Sequence, residues 1–210
     1  MESMSESAGA AVIGLTGQSG AGKTTVCKVF DEKGFAIINA DKIARSVMEK
    51  DSPCLAEATE CFGKGILNED GTLNRQKLAD IVFGDREKLT QLNAISYPYI
   101  TSEILKMINQ YGDEGRKYVL IDAPTLFESR ADDFCDLIIS VTAPEKLRTE
   151  RIAARDGLTD EQIKERFSSQ HTEEFFINHS DFIIKNNKSV SELIEKAEEV
   201  AEKVKEYYNA

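Results

Sequence analysis

Gly17-Gln18-Ser19-Gly20-Ala21-Gly22-Lys23-Thr24 satisfies the phosphate-cradling pattern G-x-x-x-x-G-K-[ST] at every defined position. Its flanks supply the setting that the pattern needs. Residues 11–15 form a short apolar run that predicts a buried strand entering the loop, and residues 23–30 predict the helix leaving it. The glycines let the backbone bend until its N–H groups point inward at phosphate oxygens. The helix N-terminus adds a partial positive charge, worth about 0.3–1 kcal/mol and up to ~2 kcal/mol where partly buried. Lys23 is expected to reach the β- and γ-phosphates, with the Thr24 hydroxyl on Mg²⁺. The expected nucleotide contacts are Gly17, Ser19, Gly20, Ala21, Gly22, Lys23, Thr24 and Thr25, with Lys23 also catalytic and Thr24 the metal ligand. A glycine turn that merely joins strand to helix is the bland alternative, and the complete motif in its proper context argues against it. The expectation is a nucleoside triphosphate site.

Outward from the loop, strand-like runs occur at residues 11–16, 35–38, 118–122, 137–141 and 182–185. Each is short, apolar or β-branched, and separated from the next by helical sequence, as a parallel α/β sheet requires. The final segment carries one apolar stripe of Val190, Leu193, Ile194, Ala197, Val200, Ala201 and Val204, which predicts a helix docked on the sheet. Two stretches interrupt the alternation. Residues 41–115 are mostly helical, broken by Pro53, by Gly63 and Gly65, by Asp70-Gly71 and by Pro98, and read as a helical substrate-binding region. Residues 144–179 are helical, charged and split at Asp156-Gly157, and read as a lid. The expected organisation is a flexible tail over residues 1–9 and a single domain over 10–210.

With 26 Lys and Arg against 37 Asp and Glu, the net charge of −11 argues against a nonspecific grip on nucleic acid or anionic lipid. A phosphorylated small molecule must then be drawn in by a local basic site. No apolar stretch approaches the roughly 20 residues of a membrane span, and the polar first residues do not read as a secretory signal. Cys27, Cys54, Cys61 and Cys135 form no C-x-x-C and lie far in sequence from His171 and His179, so they read as buried reduced thiols of a cytoplasmic protein.

Several residues refine the chemistry. The base-reading Asn-Lys-x-Asp of a GTPase is missing, since Asn187-Lys188-Ser189-Val190 lacks the aspartate. Asp31-Glu32-Lys33-Gly34 matches D-x-x-G but falls within the helix that leaves the loop. Asp41 lies at the end of the second strand, on the sheet edge where ligands bind, and suits either a hydroxyl-orienting carboxylate or a helix N-cap. Asp122 closes another apolar strand, as a water-mediated Mg²⁺ ligand or as the start of a turn. Arg148, Arg151 and Arg155 fall at i, i+3, i+7, on one helical face that suits a lid over triphosphate or a solvated, salt-bridged surface.

Beyond these residues, the chain resembles the dephospho-CoA kinase family from Val12 to about Ala201. The resemblance is carried by Ala40-Asp41-Lys42-Ile43-Ala44-Arg45, Asp70-Gly71-Thr72-Leu73-Asn74-Arg75, Pro124 to Glu128, Arg155-Asp156-Gly157-Leu158, Arg166 to Gln170 and Asp181 to Asn187. It implies a P-loop kinase fold with a five-stranded parallel sheet flanked by helices, plus helical substrate-binding and lid insertions. It implies ATP with Mg²⁺ and phosphorylation of the ribose 3′-hydroxyl of dephospho-CoA, giving coenzyme A and ADP. Asp41 would activate the hydroxyl, Arg45 would contact the substrate, and Arg151 or Arg155 would be the lid arginine on the phosphates. Asn39 stands where the family usually has a second aspartate, and Tyr97 where a histidine precedes Pro98. Another P-loop kinase acting on a nucleoside or nucleotide, and a non-enzymatic nucleotide switch, are the rival readings.

Overall fold

The computed structural model describes residues 9–82 and 84–209, so the tail expected over residues 1–9 lies outside the described residues apart from Gly9. The described residues divide into two compact units, one holding residues 9–38 and 108–209 and the other lying within Asn39–Met107.

The first unit holds a five-stranded parallel sheet in the order β2-β3-β1-β4-β5. Its strands are β1 (Ala11–Gly17), β2 (Ala36–Asn39), β3 (Tyr118–Asp122), β4 (Leu137–Thr142) and β5 (Phe182–Lys185). The three inner strands are apolar on both faces, and every residue of β1 and β3 is buried. The edge strands β2 and β5 each carry partly exposed residues, as a sheet margin requires. Register pairs Leu15 with Asp122 on one side of β1 and Gly17 with Val141 on the other, so the loop after β1 leaves the centre of the carboxyl edge.

Helix α1 (Lys23–Glu32) and the C-terminal helix, which spans Val190–Asn209, contribute Val26, Val29, Phe30, Leu193, Ala197, Val200, Ala201 and Val204 to one core with the strands. Two members of the predicted stripe stay outside it. Val190 is 64% exposed and Ile194 37%, because Val190 is the helix's first residue and Ile194 sits about 100° round from Leu193, on the flank of the stripe.

The second unit is helical. Helix α2 (Ala40–Ser46) follows β2 directly, then α3 (Pro53–Phe62), α4 (Arg75–Val82) and α5 (Arg86–Asp113), whose last turns pass into the first unit. Ser52 caps α3 through Leu55 N–H and Pro53 takes the first position, where a missing N–H costs nothing. Met48, Cys54, Leu55, Ala58, Ile66, Leu78 and Val82 form the unit's core. Pro98 does not break the chain as expected. It lies inside the 28-residue α5, where Ile95 and Tyr99 on either side pack against that core and offset the ~3 kcal/mol a helix-interior proline costs.

Helices α6 (Glu145–Asp156), α7 (Asp160–Ser168) and α8 (Glu173–Asn178) fill the stretch between β4 and β5, and the C-terminal helix is therefore α9. Gly157, at φ +66°, ends α6 in the left-handed conformation, and a Thr159–Gln162 capping box starts α7. All four cysteines are free. Only Cys54 is fully buried; Cys27 and Cys135 are half-buried and Cys61 is exposed, so the expectation of uniformly buried thiols holds for one.

Candidate active site

Gly17, Gly20 and Gly22 take φ of +148°, +78° and +105°. At Gly17 a Cβ would collide with the Val141 carbonyl, and at Gly22 it would stand 2.6 Å from Asn186 Nδ2. The loop is thus closed to side chains at both ends of the motif. Helix α1 begins at Lys23 with no side-chain cap and no acidic residue in its first turn. By contrast, Asn39, Ser52, Thr159 and Thr172 cap α2, α3, α7 and α8. The first N–H groups of α1 therefore keep their capacity for an anion, and the cradle fits phosphate. Thr24, the second residue of α1, is exposed, and Thr25 is half-buried.

The Lys23 ammonium donates to Asp122 Oδ1, with side chains only 15% and 11% exposed. The motif lysine and the strand-end carboxylate, 99 residues apart, are therefore brought together. Cys27, one turn along α1, sits against the same carboxylate. Burial, with the Asp122 charge adding to it, pushes its thiol up to about 11, so it stays neutral at physiological pH and is no nucleophile.

Three side chains from the far end of the chain hold the loop. Gln170 Oε1 accepts from Ser19 N–H at 3.2 Å, Arg151 Nη1 donates to Gly20 O at 3.3 Å, and Asn186 Nδ2 donates to Ala21 O at 2.7 Å. Gln170 and Asn186 were absent from the candidate set read from the sequence. For Asn186 a signal existed, because it follows β5 on the carboxyl edge of the sheet; for Gln170 no local pattern marks the contact.

The predicted arginine face separates into three environments. Arg148 is buried, donates from Nε to Ala143 O at 3.1 Å and lies 4.1 Å from the Phe167 ring centroid. Burial lowers its pKa, and its contacts are those of a core residue. Arg151 meets the phosphate loop. Arg155 instead donates to Asp156 Oδ1 and Oδ2 at 2.7 and 2.8 Å, and Arg166 reaches the same carboxylate at 2.9 Å.

That clamp carries a pH signature. Hydrogen bonding from Arg155, then from Arg166, lowers the Asp156 carboxyl from 3.8 to about 2. A carboxyl depressed in the folded state contributes stability that is present above its unfolded value and lost as pH falls through its folded value. The contribution is therefore full above pH 3.8 and disappears towards pH 2. Asp156→Asn is expected to flatten the acid-induced loss of stability over that window in urea titrations at stepped pH.

In the second unit, Asp41 lies in the first turn of α2 and is exposed, with Arg45 one turn further on the same face and also exposed. The capping role that Asp41 could have filled belongs to Asn39, whose Oδ1 accepts from Lys42 N–H at 2.8 Å. Asn39→Ala is expected to cost about 1 kcal/mol, whereas Asn39→Asp keeps the acceptor and leaves stability within a few tenths, about what exchange among good caps changes. Urea unfolding of the two variants checks both.

A family model described as "Dephospho-CoA kinase" matches residues 11–192. Dephospho-CoA kinases of Carboxydothermus hydrogenoformans and Listeria innocua are 39% and 40% identical to the chain, over 85% of it and 87% and 89% of their own lengths. That of Fusobacterium nucleatum is 37% identical over 92% of the chain and 98% of its own length. Among solved structures, TT1252 from Thermus thermophilus aligns with a TM-score of 0.82 at 26% identity, covering 93% of this chain and 97% of that one. The dephospho-CoA kinase from Campylobacter jejuni aligns at 0.62 and 27%, covering 92% and 96%. A complete phosphate loop on this sheet, its lysine at a strand-end carboxylate, and this breadth of similarity lead to one assignment: the chain belongs to the dephospho-CoA kinase family.

Proposed function

We propose that the chain performs its family's reaction, transfer of the ATP γ-phosphoryl group to the 3′-hydroxyl of dephospho-CoA, with Lys23, Thr24, Asp41 and Arg151 as its working groups. The observation that carries this is the uncapped start of α1 behind three glycines of positive φ, with the Lys23 ammonium held on the Asp122 carboxylate at the end of β3. Phosphoryl transfer asks a protein for positioning and charge neutralisation more than for covalent chemistry. Lys23 and the α1 N–H groups neutralise phosphate oxygens. Arg151, already beside Gly20, adds a guanidinium from the lid helices, and Arg155 takes that part only if it leaves Asp156.

Mg²⁺, when bound, spreads the charge of the β- and γ-phosphates. Thr24 and Asp122 would hold it, since both offer the hard oxygen donors the ion prefers. Asp41 follows β2 by two residues, as a carboxylate beyond a strand end, and orients the acceptor hydroxyl. Arg45, on the same face, contacts the substrate. Within the helical unit, Met48, Leu73, Leu78, Leu89, Leu92 and Ile100 line an apolar hollow of about 350 Å³ that suits the uncharged pantetheine arm.

Four free cysteines fit a reducing compartment such as the cytoplasm. Among the described residues no helix is long and apolar enough to cross a membrane. The test is ADP release from ATP and Mg²⁺ with and without dephospho-CoA, with coenzyme A identified by mass. ADP that requires the acceptor, with matching coenzyme A, is the expected result. Turnover on nucleosides or nucleotides alone would mean a different small-molecule kinase, and ATP binding without acceptor-dependent ADP would mean a switch.

A further inference from the structure

Asn186 follows the last residue of β5 and is 6% exposed. Its backbone N–H donates to Thr142 O at 2.8 Å, which fixes the main chain beside β4. Both ends of its side-chain amide are then used. Nδ2 donates to Ala21 O at 2.7 Å, and Oδ1 accepts from Arg151 Nη2 at 3.2 Å. The same Nη2 reaches Asn186 O at 3.5 Å, while Arg151 Nη1 donates to Gly20 O at 3.3 Å. A carbonyl needs a donor and a guanidinium needs an acceptor, so only one orientation of the amide satisfies both. Gly22 leaves the space, since a Cβ there would lie 2.6 Å from Nδ2.

We propose that Asn186 is a positioning residue for phosphoryl transfer, which locks the Ala21 peptide of the phosphate loop and the Arg151 guanidinium into one fixed relation. It acts through these two groups and not on the substrate itself. The Ala21 arm keeps the loop carbonyl turned toward Nδ2, and with it the Gly22 N–H across the same planar peptide turned away from Asn186. The Arg151 arm engages only part of a guanidinium that carries five N–H donors, and leaves Nε–H with part of Nη1 for phosphate oxygens. A cation held in place before the reaction needs no reorganisation when charge develops on the transferring group. Asparagine is required for this. Aspartate keeps the acceptor but has no N–H for Ala21, and alanine keeps neither.

The inference rests on the kinase reading above and on Arg151 as its lid arginine. The experiment is a double-mutant cycle on acceptor-dependent ADP release, with kcat and KM for ATP measured for native protein, Asn186→Ala, Arg151→Ala and the double variant. Asn186→Ala is expected to lower kcat by on the order of 10-fold and to raise KM for ATP. In the Arg151→Ala background its effect on kcat shrinks below about 3-fold, because the group it positions is gone. Asn186→Asp keeps the Arg151 arm, so its loss falls on KM for ATP and persists when Arg151 is absent. Asn186→Ser, which reaches neither partner but fills more of the space, carries the same cycle if the alanine variant does not fold.

An equal fold-loss in kcat in both backgrounds overturns the proposal, as does native kcat and KM in Asn186→Ala. Native protein without acceptor-dependent turnover overturns the kinase reading and this one together. Native turnover with additive losses overturns this one alone.

Discussion

Lys23→Ala lowers acceptor-dependent turnover by about 10²–10³-fold, the usual consequence of deleting one preorganised group that stabilises charge in the transition state. The structure adds a second effect. Lys23 is also the cation on Asp122, a carboxylate with 11% side-chain exposure, so the substitution removes the charge that balances a mostly buried anion. A stability loss of roughly 1–3 kcal/mol accompanies the loss of rate. The two effects separate in the variant Lys23→Ala/Asp122→Asn, read for both stability and turnover against Asp122→Asn alone, because both lack the anion and whatever it gives to Mg²⁺. Thermal unfolding should then recover while turnover does not. If turnover recovered along with stability, Lys23 would be a structural partner of Asp122 and not the residue on the phosphates. If Lys23→Ala alone kept near-native turnover, the phosphate loop would not be the catalytic site.

Asp41→Asn lowers kcat by about 10²–10⁴-fold, the range a positioned general base contributes, and leaves KM for ATP nearly unchanged. The substitution is a clean one. Asp41 is exposed, the N-cap of α2 belongs to Asn39, and the new side chain has the same shape, so no fold penalty confuses the reading. Unfolding midpoints of native and variant protein should agree within about the ±0.5 kcal/mol typical of surface substitutions. Near-native kcat would remove Asp41 from the reaction and leave it as first-turn charge on α2, favourable to the helix dipole and nothing more. A change confined to the KM for dephospho-CoA would make it a binding group in place of an activating one.

Local chemistry explains how much of the molecule could be read in advance. The third and fifth strands match the expected bounds, the first and fourth run one residue further at the C-terminal end, and the second is shifted by one residue at both ends, because each is a short apolar run closed by polar or helical sequence. The break at Asp156-Gly157 was legible for a similar reason, as glycine ends a helix where a left-handed residue is needed. Pro98 misled, since its local cost is real but the flanking Ile95 and Tyr99 pack against a core formed by residues far along the chain. The stripe on α9 misled only at Val190 and Ile194, because helical period tells which residues share a face and not where the partner surface stops.

The sequence by itself determined the phosphate loop, the alternation of strand and helix, and the carboxylate of Asp122 that closes β3, whereas Asp41, expected at a strand end, falls in the first turn of α2. Glycine φ, side-chain period and hydrogen-bond spacing act over a few residues and leave a readable mark there. Only the tertiary structure decided which groups meet. Three arginines on one helical face read alike, yet one is buried against Phe167, one reaches Gly20 and one is held by Asp156. Lys23 meets Asp122 because β3 lies beside β1, and Asn186 meets Ala21 because β4 and β5 follow on the other side. Those encounters depend on strand order, which is set by packing across the whole sheet and appears in no local pattern of residues.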